Sequence, residues 1–564
     1  MIIDRQKHRQ FISDELKAQT EEFKIKLTTS AIDLLQDKNE VFVAILVNFT
    51  KRGEMVLKLP ASRPMPRKND ILYCFTVPDN LRRYKDWGNM SYGELIKHET
   101  QATEARCIWH SPASDKRFVL AGFVGVSVQF REYVSAVPGG VVVLGPKVPP
   151  FEYLANLEAA TKIHNIQIGE ILDADYISQQ WRPQILSFDD DFVDIYMQDS
   201  GENDIVILQG PPGTGKTSRI ASLCSHLCGQ GKSVLITALT NRALMEVADK
   251  LKDSLVKDKC VYKTNITSDE QNLLPDLLGA DDVSAIPGKL MLSTFYKTSK
   301  YITNVVGEVV FDYVIVDEAS QAFLAMLAVA NTLGKKKLWV GDVYQMPPIV
   351  IMSQDRVSRL KYDVLINGLN SIVKTCKYKV YQLSNTFRLG DRAADFTGIF
   401  YNNTLTSKSD TRRGVLGYIE GPHVVDMDMP IGDPAPKDGI SKTLSIVTEV
   451  LNENKSAKVA VLCQLVRTAK AIQVEMAKRN IMHDNIIIDT VARVQGITQD
   501  VVIYLIPDTD SKIHSLNLQL FNVATSRAKQ NTFIICPHNI MQFAYIHPKV
   551  KNFMQRLFDE KKQS

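Results

Sequence analysis

The stretch Ile205-Val-Ile-Leu-Gln-Gly210-Pro-Pro-Gly-Thr-Gly215-Lys216-Thr217 decides the fold, because a short apolar run passes directly into a glycine-rich loop. The run Ile205–Leu208 predicts a buried strand, and the residues after Thr217 have the spacing of a helix. The loop itself fits the pattern Gly-x-x-x-x-Gly-Lys-Ser/Thr. In this context glycines let backbone N–H groups surround phosphate oxygens, and the helix N-terminus adds positive potential. The sequence therefore predicts a nucleotide phosphate site.

Each residue of the loop has an expected role in that site. The residues predicted to surround the phosphates are Gly210, Pro211, Pro212, Gly213, Thr214 and Gly215. Lys216 is expected to reach the outer phosphates, and Thr217 is expected to supply a hydroxyl to Mg²⁺. We therefore expect ATP and Mg²⁺ as the ligands.

Two later apolar runs also end in polar side chains. Tyr313–Val316 leads into Asp317-Glu318, and Leu338–Val340 leads into Gly341-Asp-Val-Tyr-Gln345. Ligands bind at the carboxyl ends of strands in parallel sheets. We expect Asp317 to hold Mg²⁺ through its shell and Glu318 to polarise the attacking water. Gln345 is expected to sense the γ-phosphate. Taken alone, each run is equally compatible with an ordinary strand end.

The rest of the chain predicts an α/β protein with an N-terminal addition. Helically spaced apolar residues occupy 4–38, and short β-rich runs from about Val41 onwards predict a small β-barrel. After Asp204, strands and helices alternate, which predicts two tandem α/β domains with doubly wound parallel sheets. The expected divisions are a helical segment (1–40), a β-barrel (41–150), a helical linker (151–200), and two α/β domains (201–375 and 376–564).

Composition excludes several classes of protein. Of 564 residues, 45% are hydrophobic and 23% are charged, so the chain is neither disordered nor fibrous. The net charge of +4 restricts any polyanion contact to a local groove. Eight scattered cysteines form no zinc-type pattern. A charged N-terminus and the lack of a long apolar run predict an intracellular, most simply cytoplasmic, protein without membrane contact, and a monomer is favoured.

The three motifs that begin at Gly210, Asp317 and Gly341 together resemble the core of the superfamily 1 helicases, and more closely the up-frameshift and senataxin-like group. Other family motifs follow in order, namely L-x-x-x-Y/F-R at 383–388, F-Y-x-G-x-L at 400–405, T-V-x-x-x-Q-G at 490–496 and N-V-A-x-T-R-A-K at 522–529. The resemblance implies that 201–375 and 376–564 are RecA-like motor domains, with 41–150 as an accessory domain and 1–40 and 151–200 as a helical stalk. It also implies an ATP-dependent motor that moves 5′ to 3′ on single-stranded DNA or RNA.

The resemblance also assigns roles to residues outside the phosphate loop. It implies that Arg388 and Arg527 reach from the second domain to the γ-phosphoryl group as arginine fingers. Phe387 is expected to offer a stacking face to the nucleotide. The residues expected to contact the nucleic-acid backbone are Thr240, Asn241, Ser293, Thr294, Gln464 and Thr490. Hydroxyl and amide groups of this kind bind phosphate oxygens without reading bases.

Some positions depart from the family, and two alternative functions stay open. Thr498 replaces a glutamate, Asn403 replaces a glycine, and neither Gln184 nor Gln198 fits the adenine-reading glutamine motif. These departures leave the NTP specificity and the coupling to the strand open. One alternative is an ATP-gated clamp that grips a strand with little unwinding. The other is a switch-like NTPase acting on proteins, against which the two arginine motifs and the Gln-Gly turn argue.

Overall fold

The computed structural model describes residues 4–136, 139–176, 179–301, 310–481, 483–494, 496–510, 512–543 and 545–563. Gln495, from the predicted Gln-Gly turn, lies outside these residues. The chain forms two compact units. The first consists of Met1–Thr20, Pro150–Leu389 and Phe400–Asp410, and the second of Glu21–Pro149, Gly390–Ile399 and Thr411–Ser564. Within the described ranges, no helix combines the length and the apolar character needed to cross a membrane.

A closed barrel occupies the region for which short β-rich runs predict one. Its strands are β1 (Phe42–Phe49), β2 (Met55–Pro60), β3 (Ile71–Thr76), β4 (Gln101–Pro112), β5 (Phe118–Val124) and β6 (Val141–Gly145). They are antiparallel in the order β1-β2-β5-β4-β3-β6, and β6 pairs with β1 to close the barrel. The barrel belongs to the second unit.

The first unit contains a parallel sheet. Its strands are β7 (Gln184–Leu186), β8 (Ile205–Gln209), β9 (Val234–Ala238), β10 (Val261–Thr264), β11 (Leu278–Ala280), β12 (Leu290–Thr294), β13 (Phe311–Val316), β14 (Gly334–Gly341) and β15 (Lys379–Leu383). Their order is β11-β10-β12-β9-β13-β14-β8-β15-β7. Alternate residues of β8 enter different core clusters, so both faces of the sheet are covered. This double burial explains why the strand is apolar throughout.

The second unit contains a shorter parallel sheet. A strand pair of the first unit comes before it in the chain, β16 (Asn385–Thr386) with β17 (Thr406–Ser407). The strands of the second sheet are β18 (Gly421–Met427), β19 (Val459–Cys463), β20 (Ile486–Thr490), β21 (Gln499–Leu505) and β22 (Ala528–Pro537). They lie in the order β18-β22-β21-β19-β20. The chain is thus a mixed α/β protein with two parallel sheets, as the alternating pattern predicts.

Helices flank these sheets. The N-terminal helix Arg5–Thr28 contributes residues to both units. The other helices of the first unit are Phe151–Ala160, Ile166–Leu172, Phe192–Glu202, Lys216–Gly229, Asn241–Lys250, Ser268–Leu273, Phe295–Thr298, Leu324–Thr332, Gln354–Leu360, Asp363–Ile366 and Gly368–Val373. Those of the second unit are Ala31–Gln36, Tyr92–Ile96, Val128–Ser135, Asp391–Gly398, Lys437–Glu453, Val466–Lys478, Lys512–Ser515, Leu518–Thr525 and Pro548–Gln563.

The strand pairing differs from the sequence prediction at the expected boundary between residues 375 and 376. Strand β15 pairs with β8 in the first sheet and places Tyr381 opposite Leu208. The first unit therefore continues to Leu389 and takes up 400–410 as well. As a result, Phe387 and Arg388 belong to the first unit, whereas the sequence prediction assigns them to the second domain. The remaining domain divisions stay predictions.

Candidate active site

The phosphate loop connects buried β8 to the helix Lys216–Gly229. Gly213 and Gly215 have φ of 74° and 80°, in the left-handed region that favours glycine. No side chain caps the N-terminus of the helix, so its first N–H groups face the loop as an anion site. The Lys216 Nζ donates a hydrogen bond to the Gly210 carbonyl at 2.8 Å. The lysine thus lies folded over the loop that it is expected to complete.

The loop also holds itself in shape. The Thr214 hydroxyl donates to the Pro211 carbonyl at 2.8 Å, and the Gly210 N–H donates to the Gly341 carbonyl at 2.9 Å. A Cβ on Gly210 would lie 2.2 Å from the Lys216 Cγ, so this position needs glycine for the lysine to pack against it. The loop is therefore held in shape by hydrogen bonds of its own and by the backbone of Gly341.

Asp317 and Glu318 lie at the end of β13, beside β9 and β14. The Asp317 N–H donates to the Thr237 carbonyl at 3.0 Å, and Asp317 is 4% exposed. Burial, with Glu318 adjacent, raises the pKa of Asp317 to about 7, and the nearby Lys216 ammonium opposes this shift. Glu318 has a φ of 51°, which is uncommon for a residue with a side chain.

These side chains are compatible with Mg²⁺ and an attacking water. Within the described residues, no group of three or more His, Cys, Asp and Glu side chains could hold a metal alone. Mg²⁺ in nucleotide sites usually takes one or two protein oxygens and completes its shell with phosphates and waters. Asp317 and Thr217 offer such oxygens. The Glu318 Oε2 is buried without a hydrogen-bond partner among the described atoms, which suits a base that awaits a water.

The end of β14 is tied to the strand that carries the phosphate loop. Asp342 is fully buried and accepts hydrogen bonds from the Gln209 Nε2 and the Tyr401 hydroxyl, both at 2.6 Å. Burial raises the pKa of Asp342, against the opposing effect of Lys216. Gln345 follows in the same turn, is 4% exposed, and donates its N–H to the Asp342 carbonyl at 3.0 Å. Gln209 and Tyr401 thereby position the turn that carries Gln345.

Residues 386–388 contact the phosphate loop directly from within the first unit. The Thr386 hydroxyl donates to the Pro212 carbonyl at 2.9 Å, and the Phe387 N–H donates to the Gly213 carbonyl at 2.8 Å. Arg388 is close enough that a Cβ on Gly213 would lie 2.5 Å from the Arg388 Cβ. The expectation that Arg388 comes from the second domain is therefore wrong, since β15 carries it to the loop. Thr386 is a positioning residue that was not predicted, because it occupies an unspecified position of the motif L-x-x-x-Y/F-R.

An exposed aromatic pair lies beside the loop. Phe387 and Phe188 are 50% and 49% exposed, and their ring centroids are 6.1 Å apart. A Cβ on Gly215 would lie 3.7 Å from the Phe387 ring. Lys408 lies 5.1 Å from the centre of the Phe188 ring. The sequence around Phe188 does not indicate a functional role, because a single Phe in Leu186-Ser-Phe-Asp is typical of a core residue.

The predicted strand contacts of the first unit gather at one edge of the sheet. Thr240 begins the helix Asn241–Lys250 and accepts a hydrogen bond from the Ala243 N–H at 3.3 Å, and both Thr240 and Asn241 are exposed. Thr294 lies opposite Ala238 at the end of neighbouring β12. Ser293 is fully buried and its hydroxyl pairs with that of Thr264 at 2.9 Å. Ser293 therefore does not reach the surface expected of it.

The predicted residues of the second unit occupy corresponding strand ends. Gln464 directly follows β19, and Thr490 ends β20 opposite Cys463. Thr490 is only 7% exposed, so its side chain is covered in this conformation. Arg527 is 2% exposed and precedes β22, and its carbonyl accepts from the Gln499 N–H at 3.0 Å.

Parts of the chain are similar to known proteins. Residues 196–350 match the family model described as an AAA domain. The chain is 30% identical over 212 residues to the DNA replication ATP-dependent helicase/nuclease DNA2 of Saccharomyces cerevisiae, a match that covers 36% of this chain and 13% of that protein. It is 25% identical over 351 residues to replicase polyprotein 1ab of murine coronavirus (strain JHM), covering 59% of this chain and 4% of the polyprotein.

Among solved structures, the chain matches the crystal structure of Arterivirus nonstructural protein 10 (helicase) with a TM-score of 0.34 and 14% identity, over 87% of this chain and 78% of that one. The AAA-domain match spans the phosphate loop, the Asp317 strand end and the Gln345 turn. A further relative, the uncharacterized ATP-dependent helicase MJ0104 of Methanocaldococcus jannaschii, is 22% identical over 272 residues, covering 45% of this chain and 40% of that protein. Part of this chain is thus similar to proteins that are helicases by name, and the chain spans less than half of each of these curated relatives.

Proposed function

We propose that this chain hydrolyses ATP with Mg²⁺ and uses the energy to move along single-stranded nucleic acid, 5′ to 3′, and to displace paired strands. The observation that carries the proposal is the convergence on one loop. The phosphate loop, the Asp317-Glu318 strand end, the Gln345 turn and the segment 386–388 all meet at one edge of the first sheet. The motif order supports a place in the up-frameshift and senataxin-like group.

The proposed chemistry follows from this arrangement. The loop N–H groups and Lys216 bind the phosphates, and Thr217 and Asp317 hold the metal. When bound, Mg²⁺ neutralises charge that develops on the transferred phosphoryl group. Glu318 takes a proton from the attacking water, and Arg388 stabilises the charge that spreads over the γ-phosphoryl oxygens. Arg527 is proposed as a second finger, on the family resemblance.

The nucleotide base is proposed to lie on the aromatic pair. Phe387 and Phe188 present half-exposed rings beside the loop, and such rings bind purines by stacking with little discrimination between them. The two phenyl rings themselves have no hydrogen-bonding group that could distinguish adenine. We therefore expect the enzyme to accept other purine triphosphates as well.

A positively charged cavity in the second unit supports a strand path there. Its volume is about 1250 Å³. The basic residues that line it are Lys38, Arg63, Lys437, Arg467, Lys470, Lys478 and Arg479, against the acidic Asp37, Asp438 and Glu475. This excess of four positive charges equals the net charge of the whole chain. The helices Lys437–Glu453 and Val466–Lys478 both begin at the cavity without side-chain caps, which adds positive potential for phosphates.

A second candidate function is an ATP-gated clamp that grips a strand and displaces little duplex. One observation favours it, namely Thr498 in place of the family glutamate after the Gln-Gly turn. Loss of that carboxylate removes a group expected to link nucleotide state to the strand. Both candidates require strand-stimulated ATP hydrolysis, so only displacement separates them.

The test uses duplexes with a single-stranded overhang at the 5′ or the 3′ end, in DNA and in RNA, with ATP and Mg²⁺ at low salt. Displacement from 5′ overhangs alone is the expected result. Displacement from 3′ overhangs alone would contradict the proposed polarity. Strand-stimulated hydrolysis without displacement would favour the clamp. If neither DNA nor RNA stimulates hydrolysis, both candidates fail.

A further inference from the structure

Three ion pairs join the barrel to the second sheet within the second unit. They connect residues 67–70, which lie between β2 and β3, with residues 484–493 around β20. The Arg67 Nη1 lies 3.4 Å from the Asp489 Oδ1, and the Lys68 Nζ lies 3.1 Å from the Asp484 Oδ1. In the third pair the charges are reversed, because Arg493 next to the second sheet pairs with Asp70 next to the barrel. We call these six residues the latch.

The pair at the centre of the latch is shielded from water. The side chains of Arg67 and Asp489 are 12% and 8% exposed, whereas Asp484 is 64% exposed. Burial raises the pKa of Asp489, and the guanidinium of Arg67 opposes this effect. A shielded pair is costly to break by removing one partner, whereas an exposed pair contributes little. Arg67–Asp489 is therefore the contact that holds the latch.

The latch lies next to a residue expected to bind the strand. Asp489 directly precedes Thr490, and its Oδ1 accepts a hydrogen bond from the Thr490 N–H at 2.7 Å. Thr490 is 7% exposed, and it lies opposite Cys463, next to Gln464. Arg67 is thus paired with the residue that directly precedes Thr490, and Lys68 is paired with Asp484 ahead of the same strand.

Carboxylate and phosphate are alternative partners for the same cations. A guanidinium binds either group through the same forked geometry, and an ammonium binds either as a point charge. A nucleic-acid strand that enters this surface presents phosphates in a row, as Asp484 and Asp489 present two carboxylates. Both anions compete for Arg67 and Lys68.

We propose that Asp484 and Asp489 act as an internal substitute for two phosphates and hold Arg67 and Lys68 beside Thr490 until a strand displaces them. The inference rests on the proposed function, because it describes the regulation of the same strand-binding surface. Release of the latch frees Arg67 and Lys68 for the strand. Strand binding in the wild type is therefore weaker than the surface allows, since each strand must first displace the two carboxylates.

The test measures binding of fluorescein-labelled dT20 and rU20 by anisotropy, without nucleotide, over a range of salt concentrations. Asp489→Asn is expected to tighten binding about three- to tenfold, and Asp484→Asn by a smaller factor, as loss of a competing charge pair allows. Their plots of log affinity against log salt should be steeper by about 0.7 for each cation freed to phosphate. Arg67→Gln should weaken binding, and Arg67→Gln with Asp489→Asn should match Arg67→Gln alone.

Asp510→Asn is the matched control, because Asp510 is an exposed carboxylate of the same unit outside the latch. It removes the same formal charge and should leave affinity and salt slope near the wild-type values. Asp484 is largely exposed, so Asp484→Asn reports on the latch even if Asp489→Asn unfolds. The latch would be overturned if the wild type binds the strand and neither carboxylate variant binds it more tightly. It would also be overturned if Asp510→Asn raises the strand affinity equally. Absence of binding in every variant would overturn the proposed function, and the latch with it.

Discussion

At the scale of single residues, Lys216 and Glu318 are proposed to serve different steps of the reaction, ATP binding and hydrolysis. Lys216 lies over the phosphate loop and interacts with the negative charges of Asp317 and Asp342. Glu318 follows β13 in a left-handed backbone conformation, with one carboxylate oxygen buried and unsatisfied among the described residues. Lys216 is proposed to bind the phosphates and Glu318 to activate the attacking water, so their loss should affect different steps.

Lys216→Ala should weaken ATP binding, whereas Glu318→Gln should bind ATP normally and lose turnover by on the order of 10²–10⁴. The reason is that the amide keeps the shape of the carboxylate but cannot take a proton. Fluorescent-nucleotide titration measures binding, and steady-state phosphate release measures turnover. Glu202→Gln, an exposed substitution in the same unit, serves as the control. Wild-type turnover in Glu318→Gln would remove it as the base.

Arg388→Ala and Arg527→Ala should each lower hydrolysis by on the order of 10³ with a much smaller loss of ATP binding. An arginine finger acts on charge that develops only in the transition state. Arg359→Ala, an exposed arginine on the helix Gln354–Leu360, is the control for Arg388. Arg527 is buried, so circular dichroism must show that its variant is folded, and Arg527→Lys should recover part of the rate. Unchanged hydrolysis in both alanine variants would favour the switch-like NTPase.

At the scale of elements, the phosphate loop depends on the segment after β15 as much as on its own glycines. Thr386 and Phe387 form hydrogen bonds with the carbonyls of Pro212 and Gly213. The loop is therefore held between its own helix and a distant segment, since Thr386 lies 174 residues after Pro212 in the sequence. A substitution that separates these two segments should disturb nucleotide binding without touching a phosphate ligand.

Gly213→Ala should abolish detectable ATP binding while the protein stays folded. A Cβ there would lie 2.5 Å from the Arg388 Cβ and 2.7 Å from the Thr386 hydroxyl, and the φ of 74° adds backbone strain. Gly201→Ala is the matched control, because nothing lies within 4 Å of its Cβ and the residue is helical. Isothermal titration with ATP and Mg²⁺ distinguishes the two. Equal affinity in both variants would show that the contact with 386–388 is not needed.

At the scale of the whole molecule, each unit contains a buried neutral histidine. His8 lies in the N-terminal helix of the first unit, and His110 lies in β4 of the barrel. Burial lowers the pKa of each to about 4, well below the ordinary value of 6.5. Since the unfolded chain takes up these protons more readily than the folded one, acid favours unfolding.

The midpoint of thermal unfolding should therefore fall as pH drops from about 6.5 towards 4. Each histidine contributes a loss of about 2 kcal/mol at pH 5 relative to pH 7.5. Replacing His8 and His110 with Gln should flatten this pH dependence, whatever the effect on stability at pH 7.5. His164→Gln, at an exposed position, should leave the slope unchanged. A double variant with the wild-type slope would show that these two groups do not drive acid unfolding.

The features that the sequence predicts well are encoded locally. The phosphate loop Gly210–Thr217 can be recognised from the sequence, because such a loop needs particular residue types at closely spaced positions. The runs Ile205–Leu208, Tyr313–Val316 and Leu338–Val340 predict β8, β13 and β14, because parallel strands covered on both faces are apolar at most positions. Asp317 and Glu318 follow from the same signal, since they end such a strand.

Tertiary structure alone decided which distant segments meet. Nothing in the sequence of strand Lys379–Leu383 specifies its neighbour, and its pairing with β8 placed Arg388 in the first unit rather than the second. Burial of Ser293 and Thr490, exposure of Phe188 and the pairing of Arg67 with Asp489 likewise depend on residues far apart in the chain. Local patterns specify conformation and which face is apolar, whereas partners are chosen by long-range packing that no single stretch contains.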